Sequence, residues 1–180
     1  EPEILAAKII SVFPENDPKK YYTHYAIILL FNPKFGELLA MLDGGDITAA
    51  RTAAGSAFAT KLLAREDAKT LTIIGNGVQA KSHAFALNRI RDLSMIQIAG
   101  RDPAKADRLA RELDIELEVT VSANASIEQA VRAADIICAA THAAAPVLEW
   151  SWIKPGVHIN SVGVNPSGRK IDGGTVQNAH

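Results

Sequence analysis

The sequence has 180 residues, of which 48% are hydrophobic and 22% charged, and its formal net charge is −1. This composition is typical of a globular protein, with enough length for one core and part of a second. The charge gives no electrostatic basis for binding nucleic acid or an anionic membrane surface. The longest early apolar run, Tyr25–Phe31, is too short to span a bilayer. The single cysteine, Cys138, excludes an intrachain disulfide and fits a reducing compartment, so we expect a cytoplasmic protein.

The first 45 residues are predicted to be part of an antiparallel β-rich domain. Three strand-like runs, separated by polar segments rich in turn residues, indicate a β meander: Ile4–Phe13, Tyr21–Phe31 and Glu37–Leu42. From Asp46 to about residue 66, alanine-rich sequence predicts a helix that links the meander to a second domain. Asp46 or Thr48 is expected to cap that helix.

Residues 67–180 are predicted to form a nucleotide-binding domain of the Rossmann type, a doubly wound parallel sheet that is truncated at its C-terminal end. Strand-like runs alternate with helical ones there, which indicates βαβ crossovers. The predicted helices begin at Val78, Pro103 and Ser126. The predicted strands are Leu71–Ile74, Met95–Ala99, a strand near Leu117–Val121, Asp135–Ala140 and Val157–Val162.

A glycine-rich turn lies between the first of these strands and the first helix. It reads Gly75-Asn76-Gly77-Val78-Gln79-Ala80, which is G-x-G-x-x-A in the context that a dinucleotide fingerprint requires. Gly75 suits a tight turn, Gly77 leaves room for a pyrophosphate, and Ala80 allows close packing of helix on strand. The N–H groups at the helix start would then bind the anion. The alternative is an ordinary strand-to-helix turn.

The end of the second Rossmann strand indicates which cofactor is preferred. The sequence there is Gly100-Arg101-Asp102, with no acidic residue at the strand end and an arginine about where a 2′-phosphate would lie. We therefore favour NADP(H) over NAD(H). Alternatively, Arg101 is solvated and Asp102 is the N-cap of the next helix, or Asp102 serves NAD.

Two cations interrupt otherwise apolar segments before the nucleotide domain. Lys8 stands in a strand among alanine and isoleucine, where an unpaired ammonium is costly to bury, so it either reaches solvent or lines a site for an anion. Arg51 is the only charged residue between Asp46 and Lys61, and its guanidinium could hold a small carboxylate through two hydrogen bonds. The alternative for Arg51 is a buried ion pair with Asp43 or Asp46.

The sequence has no pattern typical of a metal site or of acyl transfer. Its five histidines are scattered, and neither H-E-x-x-H nor C-x-x-C occurs. Ser56 and Ser82 lack the turn that exposes a nucleophilic serine. We therefore expect no metal.

Three segments together resemble the ornithine cyclodeaminase/mu-crystallin family. They are Thr48–Thr60 (TAARTAAGSAFAT), Ile74–Ala80 (IGNGVQA) and Ile159–Gly163 (INSVG), within a match from Lys8 to Asp172. The family includes ornithine cyclodeaminases, an alanine dehydrogenase, mu-crystallin and imino-acid reductases. The resemblance implies a homodimer formed through the β-rich domain. It also implies that this chain lacks segments found at both ends of other members.

The resemblance also implies a role for individual residues. Lys8 and Arg51 would bind the substrate, with Arg51 holding its carboxylate beside the nicotinamide. Only the arginine of the family's Asn-Arg-Thr phosphate motif is kept, as Arg101, which leaves the dinucleotide preference open. The residues that the resemblance places at the cofactor are His24, Arg51, Gly75, Gly77, Val78, Gln79, Gly100, Arg101, Asp102, Thr141, His142 and Val162.

One departure from the family pattern bears on the reaction. Ornithine cyclodeaminases carry an acid/base aspartate where this chain has Asn165, and an amide cannot shuttle that proton. With Lys8, Arg51 and Asn165 as the catalytic set, we expect an NAD(P)H-dependent reductase of a small imino acid, of the Δ1-pyrroline-2-carboxylate or ketimine type. The alternatives are an ornithine cyclodeaminase, an alanine-type amino-acid dehydrogenase, and a non-catalytic NADP-dependent binder of a small ligand.

Overall fold

The computed structural model describes residues 3–13, 15–17, 20–163 and 168–179. The chain forms two compact units, Glu1–Arg51 and Thr52–His180. The boundary falls inside one continuous helix, so this helix contributes residues to both units.

The first unit contains a three-stranded antiparallel sheet in the order β1-β2-β3, as predicted. The strands are β1 (Leu5–Val12), β2 (His24–Phe31) and β3 (Leu38–Asp43). Strand β2 begins three residues later than expected. The N–H of Tyr21 donates to the carbonyl of Asp17, which keeps that residue in a turn.

Helix α1 (Gly45–Leu63) follows β3 after one residue and begins slightly earlier than predicted. The Asp43 carboxylate accepts a hydrogen bond of 2.6 Å from the N–H of Gly45, and the Thr48 hydroxyl donates to the carbonyl of Gly44. The prediction that Asp46 or Thr48 caps the helix is therefore wrong, because both residues lie within its first turn. Alanine, the best helix former, is its commonest residue.

The second unit is a Rossmann-type α/β fold with a five-stranded parallel sheet in the order β6-β5-β4-β7-β8, which confirms the predicted fold class. No helix in the described part of the chain is long and apolar enough to cross a membrane. The elements are β4 (Thr70–Ile74), α2 (Val78–Ile90), β5 (Met95–Ala99), α3 (Pro103–Glu116), β6 (Thr120–Asn124), α4 (Ile127–Ala133), β7 (Ile136–Ala139), a 3₁₀ helix (Trp150–Trp152), β8 (His158–Ser161) and α5 (Gly173–Gln177).

Strand β6 lies three residues further along the chain than predicted. Helix α3 continues to Glu116 and ends where the N–H of Leu117 donates to the carbonyl of Leu113. The chain then re-enters the sheet with Thr120 opposite Met95. The pairing with β5, rather than the local apolar run, sets where the strand begins.

Alternate residues of β4 face opposite sides of the sheet. Leu71 and Ile73 belong to the larger apolar core, whereas Ile74 belongs to a smaller one that includes Val131 of α4. Thr72 lies on the α4 side too, and its hydroxyl donates to the carbonyl of Ala130 at 2.8 Å. Burial on both faces is typical of a central parallel strand.

Asp135 joins several segments at the amino-terminal edge of this sheet. Its carboxylate accepts hydrogen bonds of 3.0 Å from the N–H groups of Lys69 and Thr70, at the start of β4. It also forms ion pairs with Arg65 at 3.1 Å and with Lys154 at 2.9 Å. One side chain thus holds the beginnings of β4 and β7 together.

Candidate functional site

Gly75 forms a turn that no other residue could form without strain. Its φ angle is +136°, and a Cβ atom there would lie 2.3 Å from the carbonyl oxygen of Ala140. Its N–H donates to the carbonyl of Ala99 at 2.8 Å. The turn is therefore fixed between the carboxyl ends of β5 and β7.

Gly77 differs from Gly75, because the position that its Cβ would occupy is open. It is the N-cap of α2, with φ at −101°, no side-chain capping bond, and no heavy atom within 4 Å of where its Cβ would be. The first intrahelical bond runs from the N–H of Lys81 to the carbonyl of Gly77. The N–H groups of residues 78–80 consequently have no acceptor within the helix, and they line a cradle that fits a phosphate anion.

Gln79, in the first turn of α2, carries an unsatisfied polar atom. Its side-chain Oε1 is buried and has no hydrogen-bond partner among the described residues. Buried polar atoms without partners are rare in native proteins. Because an amide oxygen only accepts, a ligand would satisfy it by presenting a donor such as a hydroxyl group.

A partly buried chain of hydrogen bonds centres on His83, within the helix that follows the same turn. Nδ1 of His83 is 2.6 Å from the carbonyl oxygen of Gln79, and its Nε2 is 3.0 Å from Oγ of Ser56. Burial lowers the pKa of His83 below 6.5, which favours the neutral ring. Because a carbonyl only accepts, the ring proton lies on Nδ1 and the serine donates to Nε2. The sequence assigned no role to either residue, since they stand 27 positions apart with no local pattern.

The residues after β5 show how the second cofactor motif is arranged. Asp102 is the N-cap of α3 and accepts from the N–H of Lys105 at 3.1 Å, which confirms the predicted cap, whereas the roles of Arg101 and Asp102 toward a cofactor stay predictions. The Lys105 ammonium lies 3.7 Å from the same carboxylate. Arg101 is exposed, and the Asn76 side chain joins the glycine turn to this loop through the carbonyl of Asp102 at 3.4 Å.

The other predicted cofactor residues of this unit follow β7 and β8. Thr141 and His142 come just after β7, and the N–H of Val162 donates to the carbonyl of Ala139 at 3.0 Å. The buried Lys170 ammonium donates to the carbonyls of Val162 and Gly163, and burial lowers its pKa. The turns after β4, β5, β7 and β8 therefore share the carboxyl edge of the sheet, where Rossmann folds bind dinucleotides.

The first unit brings its two predicted substrate residues to one face of α1. The Lys8 ammonium donates to the Thr48 hydroxyl at 2.6 Å. Arg51 comes three residues after Thr48, so both lie on the same helical face. Arg51 is exposed, and the alternative of a buried ion pair is therefore wrong.

His24, another predicted cofactor residue of the first unit, lies at the start of a strand. His24 begins β2 opposite Val12, and its Nδ1 lies 2.9 Å from the Thr23 hydroxyl. Asn165 lies outside the described residues, so its assignment stays a prediction. Among residues that the structure does describe, no group of three histidine, cysteine or acidic side chains could hold a metal ion.

Comparison with known proteins identifies one matching family profile, and three similar proteins are informative about it. The profile of the ornithine cyclodeaminase/mu-crystallin family matches residues 1–178. The ketimine reductase mu-crystallin of Mus musculus is 37% identical over 171 residues, which are 94% of this chain and 53% of that protein. The chain spans about half the length of the curated relatives it matches.

Two solved structures are similar in fold as well as in sequence. The first is the Δ1-pyrroline-2-carboxylate reductase of Thermococcus litoralis in complex with NADH and L-proline. It has a TM-score of 0.94 and 40% identity over 98% of this chain and 55% of that one. The second is an archaeal alanine dehydrogenase dimer with bound NAD, with a TM-score of 0.90 and 27% identity over 97% of this chain and 54% of that one.

Proposed function

The chain belongs to the ornithine cyclodeaminase/mu-crystallin family, and from that premise we propose that the protein is an NAD(P)H-dependent reductase of a small imino acid of the Δ1-pyrroline-2-carboxylate or ketimine type. The observation that carries the proposal is the Lys8–Thr48 hydrogen bond, which brings a second cation to the helical face of Arg51. Two cations at one helical face suit a small carboxylate beside a group that gains a proton.

The cofactor would be held at the carboxyl edge of the parallel sheet. The N–H groups of residues 78–80 would bind its pyrophosphate, and the open space at Gly77 allows the close approach. Arg101 is exposed beyond β5, and its guanidinium would pair with a 2′-phosphate, so we favour NADP(H). When bound, the reduced nicotinamide supplies a hydride to the imine carbon.

The chain's own residues would bind the substrate and provide the proton. Arg51 would hold the carboxylate through two hydrogen bonds, which fixes the plane of the imino acid. An ammonium has three donors, and Thr48 takes one of those on Lys8. The remaining donors can bind the substrate and protonate the imine nitrogen as the hydride reaches the carbon.

The relatives support the proposed substrate class and a homodimer. The Thermococcus litoralis reductase was solved with NADH and L-proline, and proline is the amino acid that reduction of Δ1-pyrroline-2-carboxylate yields. The archaeal alanine dehydrogenase is described as a dimer, which supports the same assembly here.

Three other functions follow from the same family. An ornithine cyclodeaminase or an amino-acid dehydrogenase would use a similar site, but Asn165 replaces the acid/base aspartate of the cyclodeaminases. A non-catalytic protein would bind NADP(H) and a small ligand without turnover. Release of ammonia and proline from ornithine would identify a cyclodeaminase. Cofactor binding without reduction of any imine would identify a non-catalytic binding protein.

The proposal is tested in the full-length protein with a panel of cyclic and open imino acids and both reduced dinucleotides. Lys8→Met and Arg51→Gln should each lower kcat/KM for the best imino acid by at least a hundredfold. Lys34→Met and Arg89→Gln, which change exposed cations elsewhere, should retain wild-type values. Near-normal turnover in both site variants would show that the assigned roles are wrong.

A further inference from the structure

Two carbonyl groups in the first turn of α2 receive hydrogen bonds from side chains one turn further along. The Ser82 hydroxyl donates to the carbonyl of Val78 at 3.0 Å, and Nδ1 of His83 donates to the carbonyl of Gln79 at 2.6 Å. His83 is fully buried, whereas Ser82 is half-buried. Water can therefore donate to the carbonyl of Val78 in place of Ser82, but it cannot donate to the carbonyl of Gln79 in place of the buried His83.

The carbonyl of Gln79 shares one planar peptide unit with the N–H of Ala80. In a trans peptide these two groups point in opposite directions, so a donor that holds the carbonyl also fixes the direction of the N–H. A hydrogen bond to the carbonyl polarises the same peptide and makes its N–H a stronger donor. The N–H of Ala80 is one of those at the start of α2 with no acceptor in the helix.

Ser56 extends this arrangement by one more bond. Its hydroxyl donates to Nε2 of His83, because the ring proton is on Nδ1. Every donor then points the same way, from Ser56 through His83 and the Gln79 carbonyl to the N–H of Ala80. Hydrogen bonds aligned in this way strengthen one another.

We propose that His83 is a positioning residue for the dinucleotide pyrophosphate, acting through the Gln79–Ala80 peptide, and that Ser56 keeps its ring in the required tautomer. The inference rests on the proposed function, because it requires a dinucleotide at the glycine turn. His83 bonds a main-chain carbonyl and lies behind the turn, so its effect is on cofactor affinity rather than on the reacting atoms.

Two substitutions of His83 separate its two hydrogen bonds. Asparagine keeps an N–H donor at the position of Nδ1, whereas glutamine places its amide near Nε2 and loses the bond to Gln79. The affinity for ADP-ribose, which lacks the nicotinamide, is measured by calorimetry in the full-length protein. His83→Gln should raise the Kd about tenfold and Ser56→Ala about threefold, whereas His83→Asn should stay within threefold of the wild type. Ser82→Ala, the matched control on the neighbouring carbonyl, should stay within twofold.

Activity and folding measurements complete the test. At saturating cofactor, kcat of His83→Gln should remain within twofold of the wild type, since only binding is changed. If His83→Gln is less stable but binds ADP-ribose as the wild type does, the residue is merely structural and the inference is overturned. If His83→Gln does not fold, an unchanged Kd in Ser56→Ala overturns it equally, and a raised Kd supports it. A wild-type protein that binds neither ADP-ribose nor NADPH nor NADH overturns the proposed function itself.

Discussion

The Lys8 ammonium donates a hydrogen bond of 2.6 Å to the Thr48 hydroxyl, which joins strand β1 to the first turn of helix α1. The two residues are 40 positions apart in the chain. Thr48 also donates its own proton to the carbonyl of Gly44, so its oxygen lone pairs face the lysine. The hydroxyl thus fixes a long and otherwise mobile side chain.

Removal of that hydroxyl should weaken substrate binding without affecting the cofactor. Thr48→Val is expected to raise KM for the imino acid by at least about tenfold, since one hydrogen bond to a charged group contributes about 1.5 kcal/mol or more. Thr48→Ser keeps the hydroxyl and should restore the wild-type KM. Steady-state kinetics at saturating cofactor measure both, and an unchanged KM in Thr48→Val would contradict a binding role for Lys8.

The two glycines of the fingerprint should respond differently to the same substitution. Gly75→Ala should lower the free energy of unfolding by roughly 3 kcal/mol, because its φ is positive and the new Cβ would meet the Ala140 carbonyl. Gly77→Ala should cost less than about 1 kcal/mol, since nothing lies near that Cβ. Its methyl group would instead obstruct the anion cradle and raise the Kd for ADP-ribose at least tenfold. Urea unfolding and calorimetry on the same samples distinguish the two effects. Equal losses of stability would contradict this account.

Arg101 should determine preference between the two dinucleotides. Arg101→Ala is expected to raise the Kd for NADPH about tenfold, which corresponds to loss of one charge-assisted hydrogen bond. The Kd for NADH should change less than twofold. Lys105→Ala is a useful comparison, because this lysine instead lies 3.7 Å from the Asp102 carboxylate at the N-terminus of α3. Equal losses for both dinucleotides in Arg101→Ala would exclude a 2′-phosphate contact.

Stability should fall as the pH is lowered, in part because of buried histidines. Burial lowers the pKa of both His83 and His158 below 6.5 in the folded state. As the pH falls, the unfolded chain therefore binds protons before the folded protein does. The contribution of these histidines to the free energy of unfolding is fully present above pH 6.5 and is lost as the pH falls toward the folded pKa values. Each histidine contributes at most about 1.4 kcal/mol per pH unit. Urea unfolding from pH 7.5 to 5.5 should show a shallower loss of stability in His83→Gln than in the wild type, and equal losses in the two proteins would contradict this account.

Cys138 should be inert toward thiol reagents while the protein is folded. Burial raises the pKa of its thiol to about 12, so at pH 8 only about one molecule in 10,000 carries the thiolate. Iodoacetamide at pH 8 should label the urea-unfolded protein completely and the native protein hardly at all, as followed by mass spectrometry. Rapid labelling of native protein would show that β7 opens readily.

The glycine turn and its flanking elements could be predicted because their signals are local. An apolar run, two glycines and a helical pattern occur within 20 residues, and α2 begins at Val78 as expected. Helix α5 had no such pattern, since it opens with Gly173 and Gly174, and its only signal is the capping carboxylate of Asp172. Strand β6 begins later in the chain than predicted because its pairing with β5 sets where it starts.

In each unit, the contacts of the candidate functional residues involve partners distant in sequence. Lys8 and Arg51 were predicted as odd charges in apolar surroundings, but the role of Thr48 between them required the structure. Ser56 and His83 form one bond across 27 positions, and neither differs from an ordinary helical residue in its local sequence. Sequence reasoning therefore identifies the groups that carry charge and overlooks the neutral groups that hold them.

The ties made by Asp135 lie at the opposite edge of the parallel sheet from the glycine turn and Arg101. Substitutions that alter ligand preference at one rim therefore leave the anchoring of the strands at the other rim intact. This separation makes the scaffold evolvable, because single mutations can redirect its chemistry while the protein continues to fold.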